Sequence, residues 1–255
     1  MKTLFKFILL TGLRDKLYLG LLLIIFCIFG LSNLVGFSAI SEQSQMQLVY
    51  FSFLSRLVIV CGLILFICFY VHRSFENKEI DFILAKSISR VKFISSYWLS
   101  FNLISIILII PVILIQIIFN HPNLIGLMWW SISIILEIML ISTFAIVSSL
   151  ILKSAVVSVL ASISFYFITR MMGFFVYSIS IPNKTEQLKN FDGISEGLLK
   201  VLSTIFPRLD LFAKSEWLVY GVTNYQDIYI VLIQSIIYIP LMLFLAFYDF
   251  EKKQF

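Results

Sequence analysis

Six apolar runs, at 17–39, 48–71, 97–119, 127–152, 155–179 and 226–248, dominate this chain. Each reaches the length of about 20 residues that a helix needs to cross the hydrocarbon core of a bilayer. None alternates apolar and polar residues, as the strands of a membrane barrel would. Apolar residues make up 60% of the 255 positions and charged residues 13%, with 26 phenylalanines, a balance that a water-soluble domain does not have. The expected fold is an all-α integral membrane protein with six transmembrane helices. Residues 1–255 form one membrane domain, without an internal repeat or a separate soluble part.

The charges give an orientation. Lys2, Lys6, Arg14 and Lys16 precede the first run, and Arg73, Lys78, Lys86, Arg90 and Lys92 lie between the second and third. Lys153 separates the fourth and fifth, and Lys252 and Lys253 follow the sixth. Threading six spans alternately puts all of these on one side. The connections opposite, 40–47 and 120–126, hold no Lys or Arg. The positive-inside rule then predicts a multi-pass protein of the cell membrane with both termini cytoplasmic. The net charge of +5 reads as a topology signal, because the basic residues are dispersed over loops rather than gathered into a nucleic-acid-binding patch. A cleaved signal peptide fits less well, since the first run is longer than a typical signal core and only Ser38 and Ala39 offer a poor cleavage site. Cys27, Cys61 and Cys68 lie inside spans without metal-ligand spacing and read as small core residues.

Two segments outside the spans have a pattern of their own. Leu4, Phe5, Ile8 and Leu9 interleave with Lys2, Lys6, Arg14 and Lys16, which suits either an interfacial elbow helix with lysines at the lipid headgroups or a short ordered leader. The long outer connection, 180–225, predicts a helix from the spacing of Ile194, Leu198, Leu202 and Ile205, with Asp192 as cap and Pro207 as stop. Its aromatic part, 206–220, is greasy enough to dip into the outer leaflet, the alternative being a small cap outside it. Asn183-Lys184-Thr185 matches a glycosylation sequon, a triplet common by chance.

Catalytic signatures are missing from the sequence. It contains no G-x-x-x-x-G-K-[ST] loop for nucleotide phosphates, no H-E-x-x-H zinc motif and no G-x-S-x-G elbow. His72 and His121 fall on opposite sides of the predicted membrane. The expectation is a chain that is not itself an enzyme and has neither a metal site nor a cofactor of its own. Three charges lie within the spans: Arg56, Glu137 and Arg170. Counted from the span ends, they come to a similar depth, so they can form one cluster. It reads either as the polar floor of a cavity opening outward or as a clasp between the second, fourth and fifth spans.

The second-to-third connection, 72–96, has five of the 19 Lys and Arg residues and three acids. Phe75, Phe82, Ile83 and Ile88 interleave with Glu76, Lys78, Glu79 and Asp81, a spacing that predicts a short amphipathic helix at the membrane face, followed by a basic turn at Arg90–Lys92. The plain alternative is a solvated linker.

The stretch Phe75-Glu76-Asn77-Lys78-Glu79-Ile80-Asp81-Phe82-Ile83-Leu84, followed by Ser87-Ile88-Ser89-Arg90 and Phe93-Ile94, resembles the first cytoplasmic loop of the membrane subunits of type-2 ABC exporters. There an F-E-x-x-x-I-x-x-[IL]-L segment leads to P-I-S-R and F-I and forms the coupling helix that docks on the ATPase. Ser87 stands here in place of the usual proline. Gly12-Leu13-Arg14-Asp15-Lys16 is similar to the family's basic elbow, and Phe250-Glu251-Lys252-Lys253-Gln254-Phe255 to its basic tail. The outer motif Phe206, Pro207, Leu209, Asp210 and Phe212 is similar to its L-P-x-L-D/E-x-F stretch. The resemblance implies a permease subunit that exports or flips an unidentified substrate, paired with a second permease subunit as a homo- or heterodimer. ATP and Mg would sit on a separate ABC ATPase subunit. Phe75, Glu76, Glu79, Asp81, Phe82, Ile83, Ile88 and Arg90 would make the coupling contact. A complex that transmits ATP-driven motion to an outer-side partner without transport is the alternative, with 206–220 as its contact surface.

Overall fold

The computed structural model describes residues 2–38, 42–78, 89–180 and 206–252. These residues are helical with no strand among them, and six of the helices are long and apolar enough to cross a membrane. In chain order the helices are α1 (Lys2–Leu13), α2 (Lys16–Ser38), α3 (Gln43–Glu76), α4 (Arg90–Ile115), α5 (Leu124–Ile151), α6 (Ala155–Ser180), α7 (Glu216–Tyr220) and α8 (Tyr225–Lys252). A π-turn, Gln116–Asn120, prolongs α4, and a single 3-10 turn, Leu209–Leu211, precedes α7. We call the end of the bundle with α1 and the 77–89 connection the inner end and the other the outer end, after the sequence expectation.

The helices overrun the apolar runs. α3 continues through His72 and Arg73 to Glu76, and α4 starts at Arg90, so Phe75 and Glu76 form the last turn of α3. Arg90–Lys92, expected as a turn, is the first turn of α4. Backbone hydrogen bonding does not stop where hydrocarbon gives way to water, and hydropathy marks only the latter boundary. His72 is correspondingly not a loop residue. It is buried, its Nδ1 lying 3.0 Å from the Cys68 carbonyl and its Nε2 3.2 Å from that of Leu152, which ties the inner ends of α3 and α5.

α5 forms the centre, packing on α3, α4, α6, α7 and α8. Within its apolar window 72% of residues are buried, against 28% for α2 and α8, which turn most of their surface outward. Lipid offers apolar contacts as good as those of another helix, so small and hydroxyl side chains decide which faces meet. Ser148 Oγ lies 2.8 Å from Ser162 Oγ between α5 and α6, and Ser142 donates to Asn102 Oδ1 at 3.0 Å between α5 and α4. Trp98 Nε1 donates to Thr143 Oγ1 at 2.7 Å in the same seam. α1 lies along α4, where Ile8 is buried and the Ser100 hydroxyl donates to the Phe5 carbonyl at 3.4 Å.

Candidate functional site

Three helices aim polar side chains at one level of the outer half. Ser52 and Arg56 are four residues apart on α3, and Ser133 and Glu137 repeat that spacing on α5, so each pair shares a helix face. Arg170 comes from α6. At 1.5 Å per residue Arg56 and Glu137 each lie about 20 Å below the outer ends of their helices, and Arg170 about 15 Å.

The segment 206–220 descends to meet them. It passes through the 3-10 turn, reverses at Ala213 in a left-handed conformation with φ 45°, and climbs as α7. Pro207, Leu209, Leu211, Phe212, Ala213, Trp217 and Leu218 are buried along it. Irregular backbone at this depth has no water to bond, so its polar groups need partners from the protein. Arg170 donates from Nη1 to the carbonyls of Leu209 and, at 3.0 Å, Phe212. Arg56 donates to the Ala213 carbonyl at 2.6 Å, and the Ala213 N–H donates to Ser133 Oγ at 2.9 Å. Ser52 Oγ donates to Ser215 Oγ at 3.0 Å. Nearer the outer rim the Asn123 N–H donates to the Leu218 carbonyl at 2.9 Å, Lys214 meets Asp227 at 2.8 Å, and the Arg208 N–H donates to Gln234 Oε1 at 3.1 Å.

Glu137 supplies the counter-charge. Its side chain is fully buried and places Oε1 3.6 Å from Arg170 Nη1, with Arg56 and the Tyr166 hydroxyl also within electrostatic reach. The three intramembrane charges therefore meet, and each arginine bonds loop carbonyls through its Nη1, while Arg56 Nε has no partner among the described residues. The cluster clasps α3, α5 and α6 through the backbone of 206–220 rather than by side chains alone.

Small residues let this loop in. A Cβ on Gly126 of α5 would overlap the Trp217 carbonyl oxygen, and one on Gly173 of α6 would overlap the Asp210 carboxylate.

Above the clasp an open cavity of about 620 Å³ faces the outer end, lined among others by Glu42, Met46, Arg170, Asp210, Lys214 and Tyr220. Of the three charges only Arg170 reaches it, its side chain 22% exposed while Arg56 and Glu137 are sealed below. Arg170 thus lines the bottom of this cavity as well as joining the clasp, and the other two charges belong to the clasp alone. In the outer motif Leu209 and Phe212 are loop core whose carbonyls Arg170 holds. Pro207 is buried, Phe206 packs toward the Phe165 ring at 6.1 Å, and Asp210 pairs with Arg208 at 2.9 Å. Ser52, Ser133 and the two glycines escaped the sequence reading. Part of their signal was there, as polar residues one turn from each buried charge on α3 and α5.

At the inner end Phe75 packs against the core and Glu76 is exposed. Arg90 donates from Nη1 to the carbonyls of Phe250 at 2.9 Å and Glu251 at 2.7 Å, while Phe93 stacks on Phe250 with centroids 5.6 Å apart. Glu79, Asp81, Phe82, Ile83 and Ile88 lie outside the described residues, as do the expected helix at 192–205 and the triplet 183–185. Compared with family models and with curated proteins, the chain matches none.

Proposed function

We propose that this chain is the permease subunit of a type-2 ABC exporter, working as a pair of membrane subunits with two copies of a separate ATPase. The observation that carries the reading is where the motif-bearing connection falls. Residues 77–89 join the inner ends of α3 and α4, two helices that pack on the central α5, and Arg90 at its close grips the last turn of α8. A push on that connection from the inner side would reach α3, α4 and α8 together. α8 in turn holds the outer loop through Asp227 and Gln234, so movement at the inner end has a path of hydrogen bonds and packing to the outward cavity. In this mechanism Glu76, Glu79 and Asp81 face basic residues of the ATPase, and Phe75, Phe82 and Ile83 anchor in its groove. The cavity floored by Arg170 is the outward end of the substrate route.

The reading is tested by purifying the chain from its host membrane in mild detergent. A stoichiometric Walker-motif ATPase should accompany it and be lost when Glu76, Glu79 and Asp81 are replaced together. Glu79→Lys alone should lower stimulated ATPase activity while the folded protein persists. Recovery without an ATPase, under conditions that hold a known ABC complex together, refutes the assignment. Substrate flux in vesicles separates export from the alternative, motion passed to an outer partner. For that partner the segment 206–220 leaves only Glu216 and Tyr220 exposed.

A further inference from the structure

A second cavity, of about 750 Å³, opens at the inner end where α1 turns into α2. Its lining combines Phe7, Leu10, Arg14, Asp15, Lys16 and Arg73. Phe7 and Leu10 are 55% and 48% exposed, which gives the notch an apolar wall along α1. The three cations come from two directions, Arg14 and Lys16 from the α1–α2 turn and Arg73 from the last turn of α3. None of their head groups makes a hydrogen bond or ion pair among the described residues. The one acid in the lining is already engaged, since Asp15 Oδ1 accepts the Leu17 N–H at 3.0 Å and caps the start of α2. The turn itself is held in place: Arg14 N–H bonds the Leu10 carbonyl at 3.2 Å, Asp15 N–H the Gly12 carbonyl at 3.2 Å, and Gly12 is buried against Ile104 and Phe66.

We infer that this notch is a binding site for the phosphate-bearing headgroup of an anionic phospholipid. Three cations with no partner among the described residues line one cavity beside a single carboxylate, Asp15, a net positive lining that suits a multivalent oxyanion. Arg presents a planar fork of donors suited to phosphate oxygens, and Lys adds a point charge. The same cavity could take free phosphate; the apolar wall and the position decide for the lipid. The cations stand where apolar spans begin and end, the level of the headgroups, and Phe7 and Leu10 run from there along α1, where a glycerol backbone and upper acyl chain would lie. Bound so, the lipid bridges α1, α2 and α3. This inference does not depend on the transport reading.

The full chain, with any subunits that co-purify, is exchanged into neutral detergent and offered equal amounts of phosphatidylglycerol and phosphatidylcholine with identical acyl chains, and retained lipid is counted by native mass spectrometry. The wild type should keep phosphatidylglycerol in preference by at least about tenfold, one such lipid per chain. Arg14→Gln, Lys16→Gln and Arg73→Gln together should bring the preference close to parity. A matched control, Lys92→Gln, Lys153→Gln and Lys252→Gln, should leave it within about twofold, because those lysines lie outside the notch. Equal retention of both lipids by the wild type overturns the inference without need of any variant. An equal loss in the control reduces it to diffuse surface charge, and displacement of the lipid by excess inorganic phosphate makes it a free-anion site.

Discussion

The two ends of the bundle use positive charge in opposite ways. At the outer end Arg56 donates from Nη1 to the carbonyl of Ala213 and Arg170 from Nη1 to those of Leu209 and Phe212, with Glu137 beneath them as counter-charge. At the inner end the head groups of Arg14, Lys16 and Arg73 line a cavity and make no hydrogen bond or ion pair among the described residues, although Asp15 shares that lining. The first arrangement is spent on the fold, since a buried cation without partners costs several kcal/mol and its side chain exists there only because irregular backbone needs donors. The second leaves charge in reserve at a depth where water and headgroups keep it solvated. Identical residue types thus mean architecture in one place and ligand in the other, and burial together with partner count tells them apart. Arg90 stands between: half-buried, it caps the last turn of α8, where carbonyls have no intrahelical donor.

The contrast can be broken most severely at the clasp. Arg170→Glu and Glu137→Arg should each cost about 3–5 kcal/mol, enough to remove folded protein from detergent extracts. The double swap should fail to restore it, because a glutamate at 170 would face the carbonyls of Leu209 and Phe212 with no donor to offer. Recovery of monodisperse protein by the double variant would reduce the clasp to a simple ion pair. Next in size, Gly126→Ala should cost about 1–3 kcal/mol by pressing a methyl group into the Trp217 carbonyl, read as a lowered midpoint in a thermal-denaturation scan. That carbonyl is already fixed by the Gly221 N–H at 3.0 Å and cannot turn aside. Arg90→Met should cost about 1–2 kcal/mol by the same scan, with part of the loss recovered by Arg90→Lys, since two charge-assisted bonds go but the site is half in water. The smallest effect belongs to the notch. The triple change of Arg14, Lys16 and Arg73 to Gln should move stability in neutral detergent by less than about 0.5 kcal/mol, because no partner among the described residues is lost. A large loss there, without lipid present, would show that these cations serve the fold after all and erase the contrast between the two ends.

Much of the architecture was legible because membrane helices obey a length rule. Six apolar runs of sufficient length correspond to six helices, and only the ends moved: α3 ran on past the second run to Glu76, and α4 began before the third at Arg90. Backbone hydrogen bonding carries these helices past the apolar runs, and a hydropathy count cannot register it. The meeting of Arg56, Glu137 and Arg170 was legible as equal depth. What they meet around was not, because the acceptors are backbone carbonyls, which every residue carries and no side-chain pattern marks. Arg90 shows the same gap. Its place in an Ile-Ser-Arg motif suggested an outside partner, and the sequence gives no sign that it also bonds the carbonyls of a helix 160 positions away.

By itself the sequence determined the class, the number of spans and the separation of basic from neutral connections, because these follow from the free energy of transferring single residues between water and hydrocarbon, which each residue carries wherever it sits. Only the tertiary structure decided that 206–220 folds inward, that two of three buried charges are sealed while the third reaches the outer cavity, and that three inner cations share a notch. These depend on which backbone groups lack donors and which helices stand side by side, and pairings across the bundle leave no period in the chain.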